Sequence, residues 1–157
     1  MLGLLTLAAA IGSGLMAGVF MAFSTAVMTA LGRLPPAHGV AAMQSISLVI
    51  VNAWFLTPFF GTAAACLVIT AAALVQGHQP GAAYPLAGSG LYLGGVLLVT
   101  AAANVPLNNA LAGVTPHSPE AARLWAVYLS TWTGWNHVRT AAALAAAVCF
   151  TIAYRRS

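Results

Sequence analysis

Apolar residues fill four long stretches of this chain, and Gly, Pro and polar residues gather between them. From Leu2 to Leu31 no charged residue occurs, which exceeds the about 20 apolar residues needed to cross a hydrocarbon core. No basic segment followed by a short apolar run opens the chain, so this stretch reads as a span and not as a cleaved signal peptide. Gly32 and Pro35-Pro36 end it, because Pro cannot continue the hydrogen-bond ladder. Residues 39–77 are again uncharged, too long for one perpendicular span. Residues 37–51, with Gln44, Ser45 and Ser47, read as a short interfacial helix; residues 53–76 read as the second span, kinked near its start by Pro58. The run GHQPGAAYP at 77–85 predicts a turn, and residues 86–109 a third span whose last turns Pro106 distorts.

Gly113 to Pro119 form the next loop, and Ser118-Pro119-Glu120 opens a helix with a cap, a proline at the first position and an acid in the first turn. That helix, 119–133, is amphipathic and expected in the interface, with a break at Gly134 before the last span at 135–154. Tyr154-Arg155-Arg156 closes it as an aromatic and cationic anchor. The expected fold is all-α: an integral membrane four-helix bundle with short interfacial helices before helix two and helix four. It forms one transmembrane domain over 1–157, with spans at about 3–31, 53–76, 86–109 and 135–154. Gly14-x-x-x-Gly18 and Gly90-x-x-x-Gly94 offer small faces for close helix approach, in the bundle or in a homo-oligomer.

Composition agrees with this pattern. Of 157 residues 61% are apolar and 4% charged, where a soluble domain carries roughly a quarter charged. The five arginines are scattered and form no basic stripe facing phosphates, so nucleic acid is not an expected partner. They divide almost evenly between the two sides of the membrane, and the charge rule assigns no orientation. Cys66 and Cys149 lie in apolar runs and read as small filler. Absence of Lys beside abundant Ala and Arg is the usage of a GC-rich bacterial genome, which makes a bacterial inner membrane the expected location.

Polar side chains are not spread evenly. Ser24, Gln44, Asn52, Asn104, Asn108, Asn109, Trp132, Trp135, Asn136, His137 and Arg139 all fall toward the end of the bundle that carries the first and third loops. The other end offers Gln76, His78, Gln79 and the terminal arginines. Polar groups in a membrane are costly and usually face a cavity or the bundle interior, so this convergence predicts a pocket near one interface. Asn104 and Asn108 share a helix face, either lining that pocket or repairing the helix around Pro106. Trp132, Asn136 and Arg139 fall near one face of the last helix, with Arg139 either snorkelling or stabilising a bound anion. His137 lies about a quarter turn away and is the one His in a span, a candidate general base or an interfacial histidine.

Several chemistries are closed off. Glu120 is the single acidic side chain, so paired-carboxylate catalysis and acidic proton relays are absent. No phosphate-cradling loop occurs, and no Ser-His-acid set can be built unless an Asn or a backbone carbonyl orients His137 in place of the acid. Metal or haem stays an open alternative with a weak signal: a metal would have to recruit His38, His117 and His137 from separate segments, without ligand-like spacing.

The runs GLMAGVFMAFSTAVM from Gly14, LPPAHGVAAMQSI, NAWFLTPFFGT, NVPLNNALA and YLSTWTGWNHVRTAAALAA resemble the anthrone oxygenase-like membrane family, small four-span proteins, over nearly the whole chain. The resemblance implies oxidation of an apolar aromatic anthrone by O2 to an anthraquinone, with no recognised flavin, haem or metal cofactor. It implies catalytic roles for His137, Arg139 and Asn136, and substrate contacts from Asn104, Asn108, Trp132 and Trp135, with Asn52, Gln44, Trp54 and Phe55 as further candidates. On that reading His137 would take a proton from the activated methylene, and Arg139 with the Asn amides would stabilise the enolate. Two other classes fit the same residues: a non-catalytic membrane protein holding a lipid, quinone-like ligand or partner helix, and a metal- or haem-dependent membrane oxidase.

Overall fold

The computed structural model describes residues 2–76 and 81–156, and these form five helices without strands. Helix α1 runs Leu2–Gly32, α2 Pro36–Val49, α3 Ala53–Gln76, α4 Ala83–Ala112 and α5 Pro119–Arg155. Four of them, all but α2, are long and apolar enough to cross a membrane. Part of the turn expected at 77–85, including His78 and Gln79, lies outside the described residues.

Each helix end follows its local sequence. Pro35 is extended with Pro36 in the first turn of α2, a geometry that the fixed φ of proline favours. Asn52 caps α3, accepting from Phe55 N at 3.1 Å while its amide donates to Val49 O at 2.8 Å. Ser118 caps α5 as expected, accepting from Ala121 N at 3.1 Å. The wider π geometry interrupts α1 at Phe23–Val27 and α4 at Leu91–Leu98 and Thr100–Asn104, a distortion frequent at functional sites.

One expected boundary is corrected. The interfacial helix at 119–133 is not separate from the last span, because α5 continues through Gly134 for 37 residues. Glycine in a helix interior costs about 1 kcal/mol. Trp132 and Asn136, one turn apart and both buried, hold the register on either side. At 1.5 Å per residue α5 is about 55 Å long, so its first half extends past a core roughly 30 Å thick. Helix α2 packs on that first half.

Two apolar cores result. One joins α1, α3, α4 and the Ala-rich end of α5 around Phe20, Phe59, Tyr92 and Phe150. The other joins the ends of α1 and α4, α2 and the first half of α5 around Met43, Leu111, Trp125, Tyr128 and Trp132. The glycines that allow close approach are not those of the expected Gly-x-x-x-Gly motifs. Gly14, Gly18, Gly90 and Gly94 face open space. The tight contacts are Gly39 of α2 against Trp125 and, on the spans that carry the motifs, Gly12 against Thr62, Gly88 against Phe150 and Gly95 against Ala142, on helix faces turned away from the motif glycines. Gly95→Val is expected to destabilise the bundle by about 1–3 kcal/mol through overpacking. Gly94→Val should stay within about 0.5 kcal/mol, and thermal unfolding in detergent would compare the two.

Candidate functional site

Between the two cores lies a cavity of about 220 Å³, walled by α1, α2, α3, α4 and α5. Its lining is mostly apolar, with Phe20, Phe23, Phe55, Phe59 and Trp132 supplying rings. Apart from Ser47 on α2, the polar exceptions stand together: Thr100, Asn104 and Asn108 on α4 face Asn136 and Arg139 on α5. Four-residue spacing places the first three on one helix face. On α5 the run Trp125, Tyr128, Trp132, Asn136, Arg139 steps by three or four residues, and all five are buried.

Arg139 is 5% exposed. Its guanidinium donates to Asn136 Oδ1 at 2.6 Å and to Thr100 Oγ1 at 3.2 Å, and Nε has no partner among the described residues. Cζ lies 4.4 Å from the centroid of the Phe20 ring and 5.2 Å from that of Trp132. No carboxylate side chain is near: Glu120 is 19 residues away on the same helix, about 28 Å along its axis. An arginine at membrane depth costs about 2.5–3.5 kcal/mol on insertion scales. Cation–π contacts return about 0.5–2 kcal/mol, and the two hydrogen bonds go to neutral groups. An oxyanion about 4 Å from the guanidinium would gain roughly 4 kcal/mol at an effective dielectric of 20. The arrangement can therefore stabilise an anion beside aromatic rings.

Asparagine amides fix this geometry, and their orientation follows from chemistry. Asn136 Nδ2 donates to Phe20 O and to Ser24 Oγ, both at 2.7 Å, while its oxygen takes the guanidinium, which can only donate. Asn136 thus ties α1, at its π segment, to Arg139. Asn108 Oδ1 accepts from Trp132 Nε1 at 2.8 Å and from Tyr128 OH at 2.7 Å. An indole N–H can only donate, so the amide NH2 of Asn108 lies on the other branch. Asn104 Nδ2 donates to Trp132 O at 3.2 Å, and its oxygen is buried without a partner. Both asparagines therefore bind α5 and not the helix around Pro106.

The other sequence candidates separate from this group. His137 and Trp135 are exposed and do not line the cavity. A residue next to buried Asn136 is rotated about 100° around the helix, which carries His137 away from the guanidinium. Gln44 bonds Leu111 O at 2.8 Å and Val114 O at 2.9 Å, fastening α2 over the end of α4 without lining the cavity. Asn52 caps α3, and Trp54 is 92% exposed. Phe55 does line the cavity. Thr100 and the ring partners Phe20, Phe23 and Phe59 were not singled out in the sequence, although Thr100 stands one turn before Asn104. His38, His117 and His137 are not gathered: among the described residues no group of three or more His, Cys, Asp or Glu comes together.

Residues 53–149, from the start of α3 through most of α5, match a family model described as anthrone oxygenase. No curated protein and no solved structure matches the chain.

Proposed function

The chain belongs to the anthrone oxygenase family, and from that membership we propose that it oxidises an anthrone-type aromatic to a quinone with O2, in a bacterial inner membrane. One observation carries the reading: a buried guanidinium without a counter-ion among the described residues, in the wall of an apolar cavity among aromatic rings. Such a site favours the substrate's enolate over its neutral ketone. Donors fixed before the charge develops stabilise it without reorganisation, and Arg139 is fixed by Asn136, Thr100 and two rings.

The chemistry then follows from the substrate anion. Loss of a proton makes the ring system electron-rich, and the anion gives one electron to O2. The two radicals combine at the former methylene carbon, forming a C–O bond, and the hydroperoxide takes up a proton. Loss of water leaves the second carbonyl. One CH2 becomes one C=O, and O2 is divided between quinone and water. The electrons come from the substrate, so no step requires a redox group of the protein. The proton passes to water at the interface, since the cavity lining holds no side chain that is a base near neutral pH.

His137→Ala is expected to keep turnover within about threefold, against the about 10²–10⁴-fold loss of a general base. The test of the reading is oxygen uptake by the protein in lipid nanodiscs given anthrone, with metal analysis and an absorption spectrum of the same sample. One O2 consumed per quinone formed is the expected result. Ligand retention without uptake would replace the reading with a non-catalytic binding role, and a Soret band or stoichiometric metal would replace its account of oxygen activation.

A further inference from the structure

The walls of the cavity differ in what lies outside them. Helix α3 packs against the first part of α4, Ala83–Leu98. Beyond that contact the lining residues Phe60 on α3 and Val105 on α4 are themselves exposed, 55% and 42%, as is Val51 at 64% between α2 and α3. The cavity thus opens outward among apolar side chains. On another side α2 covers it with Met43 and Ile46, and Gln44 latches α2 to the carbonyls of Leu111 and Val114. Two exposed tryptophans, Trp54 and Trp135, mark the headgroup level by the aromatic-belt rule. Phe60 and Arg139, one to two turns further along α3 and α5, then lie on the hydrocarbon side of that level. Val51, just before Trp54, and Val105, level with Trp132 through Asn104, sit at the headgroup level itself, so the opening runs from there into the hydrocarbon at Phe60, while α2 and its latch lie on the loop side of that level.

We propose that the cavity is loaded sideways from the bilayer, between the start of α3 and the second half of α4, by the neutral form of a weakly acidic aromatic, which loses its proton only once seated. This rests on the anion seat at Arg139 used above, and adds the route and the protonation state that enters. A preformed anion is poorly soluble in the hydrocarbon that the opening faces, while a neutral phenol or enol dissolves there. At the seat its O–H bond breaks, the oxygen keeps the electron pair beside the guanidinium, and the proton goes to the aqueous buffer through the interface. No oxidation accompanies this step, so it can be followed with a ligand that O2 does not attack.

The probe is 2,6-dimethyl-4-nitrophenol, colourless when neutral and yellow as the anion, carried in vesicles and mixed with proteoliposomes below its own pKa. The yellow band should appear with the unaltered protein and be lost with Arg139→Met. Val105→Trp, at the mouth where it meets the headgroup level, should slow both appearance and wash-out about tenfold, within the range that mutants of one site show. Phe60→Ala should speed both, which separates a narrowed mouth from a damaged fold. Gln44→Leu, which frees the latch on the aqueous side, should leave the rates where they are. Rates indifferent to Val105 and Phe60 but raised by Gln44→Leu would overturn the lateral route and place entry at the aqueous side. That result would leave the anion seat intact. A bound probe that stays colourless, in a preparation that also takes up no oxygen with anthrone, would overturn both the release of a proton on seating and the anion seat on which the proposed reaction depends. Oxygen uptake from anthrone without the yellow band would overturn this inference alone.

Discussion

Arg139→Met is expected to lower anthrone turnover by about 10²–10³-fold, the usual effect of removing one fixed oxyanion donor, and to leave the bundle folded. Methionine keeps an unbranched apolar stem among Phe20, Trp132 and the α4 wall and removes the unpaired charge. Two stability effects oppose each other. Losing the cation relieves about 2.5–3.5 kcal/mol, while Asn136 Oδ1, deprived of its donor, costs about 1–3 kcal/mol. They nearly cancel, so thermal unfolding should shift little or rise. Arg139→Lys keeps the charge but loses the fork that reaches Asn136 and Thr100 together, and should fall between the two. Activity and stability would move together only if Arg139 were an ordinary packing residue.

Thr100→Asp tests the same charge from the opposite direction. Thr100 Oγ1 already accepts from the guanidinium at 3.2 Å, so a carboxylate there supplies the counter-ion that the sequence lacks. The attraction for an oxyanion, roughly 4 kcal/mol, would then be largely cancelled, and at about 1.4 kcal/mol per decade turnover should fall about 10³-fold. Thr100→Val, nearly the same size and neutral, removes the bond from the guanidinium, about 1 kcal/mol, and the hydroxyl's own bond to Val96 O within α4, and should cost turnover no more than about tenfold. Stopped-flow oxidation of anthrone by the two variants measures the difference. Equal rates would mean that the charge of Arg139 plays no part in the reaction.

The sequence made the four apolar stretches plain because runs of that length are dictated by the membrane, and the cap at Ser118 because a few adjacent residues decide it. Continuity across Gly134 was not legible. It depends on Trp132 and Asn136 being held by Asn108, Ser24 and Phe20 O, contacts spanning 24 to 116 residues of sequence. The same limit applied to the glycines, since one or two residues of offset in a helix separate Gly12 and Gly95, which are packed, from Gly14 and Gly94, which are not.

In the site, the spacing of Trp132, Asn136 and Arg139 indicated one face, and the structure buries all three. Spacing does not indicate which face meets the bundle. His137 adjoins Asn136 and carries the more reactive ring, yet a rotation of about 100° per residue places it outside. Gln44 and Asn52 look polar enough for a ligand, but helix ends leave backbone groups unsatisfied, and both side chains are spent there. Thr100 and Phe20 are unremarkable residues in the sequence. Their part follows from the cross-helix position of Arg139.

The most direct measurement is oxygen uptake with anthrone by three nanodisc preparations: the unaltered protein, Arg139→Met and His137→Ala. Uptake that survives in His137→Ala and falls about 10²–10³-fold in Arg139→Met is the expected result. Uptake retained in Arg139→Met and lost in His137→Ala would contradict the account, moving the chemistry out of the cavity to the exposed face of α5.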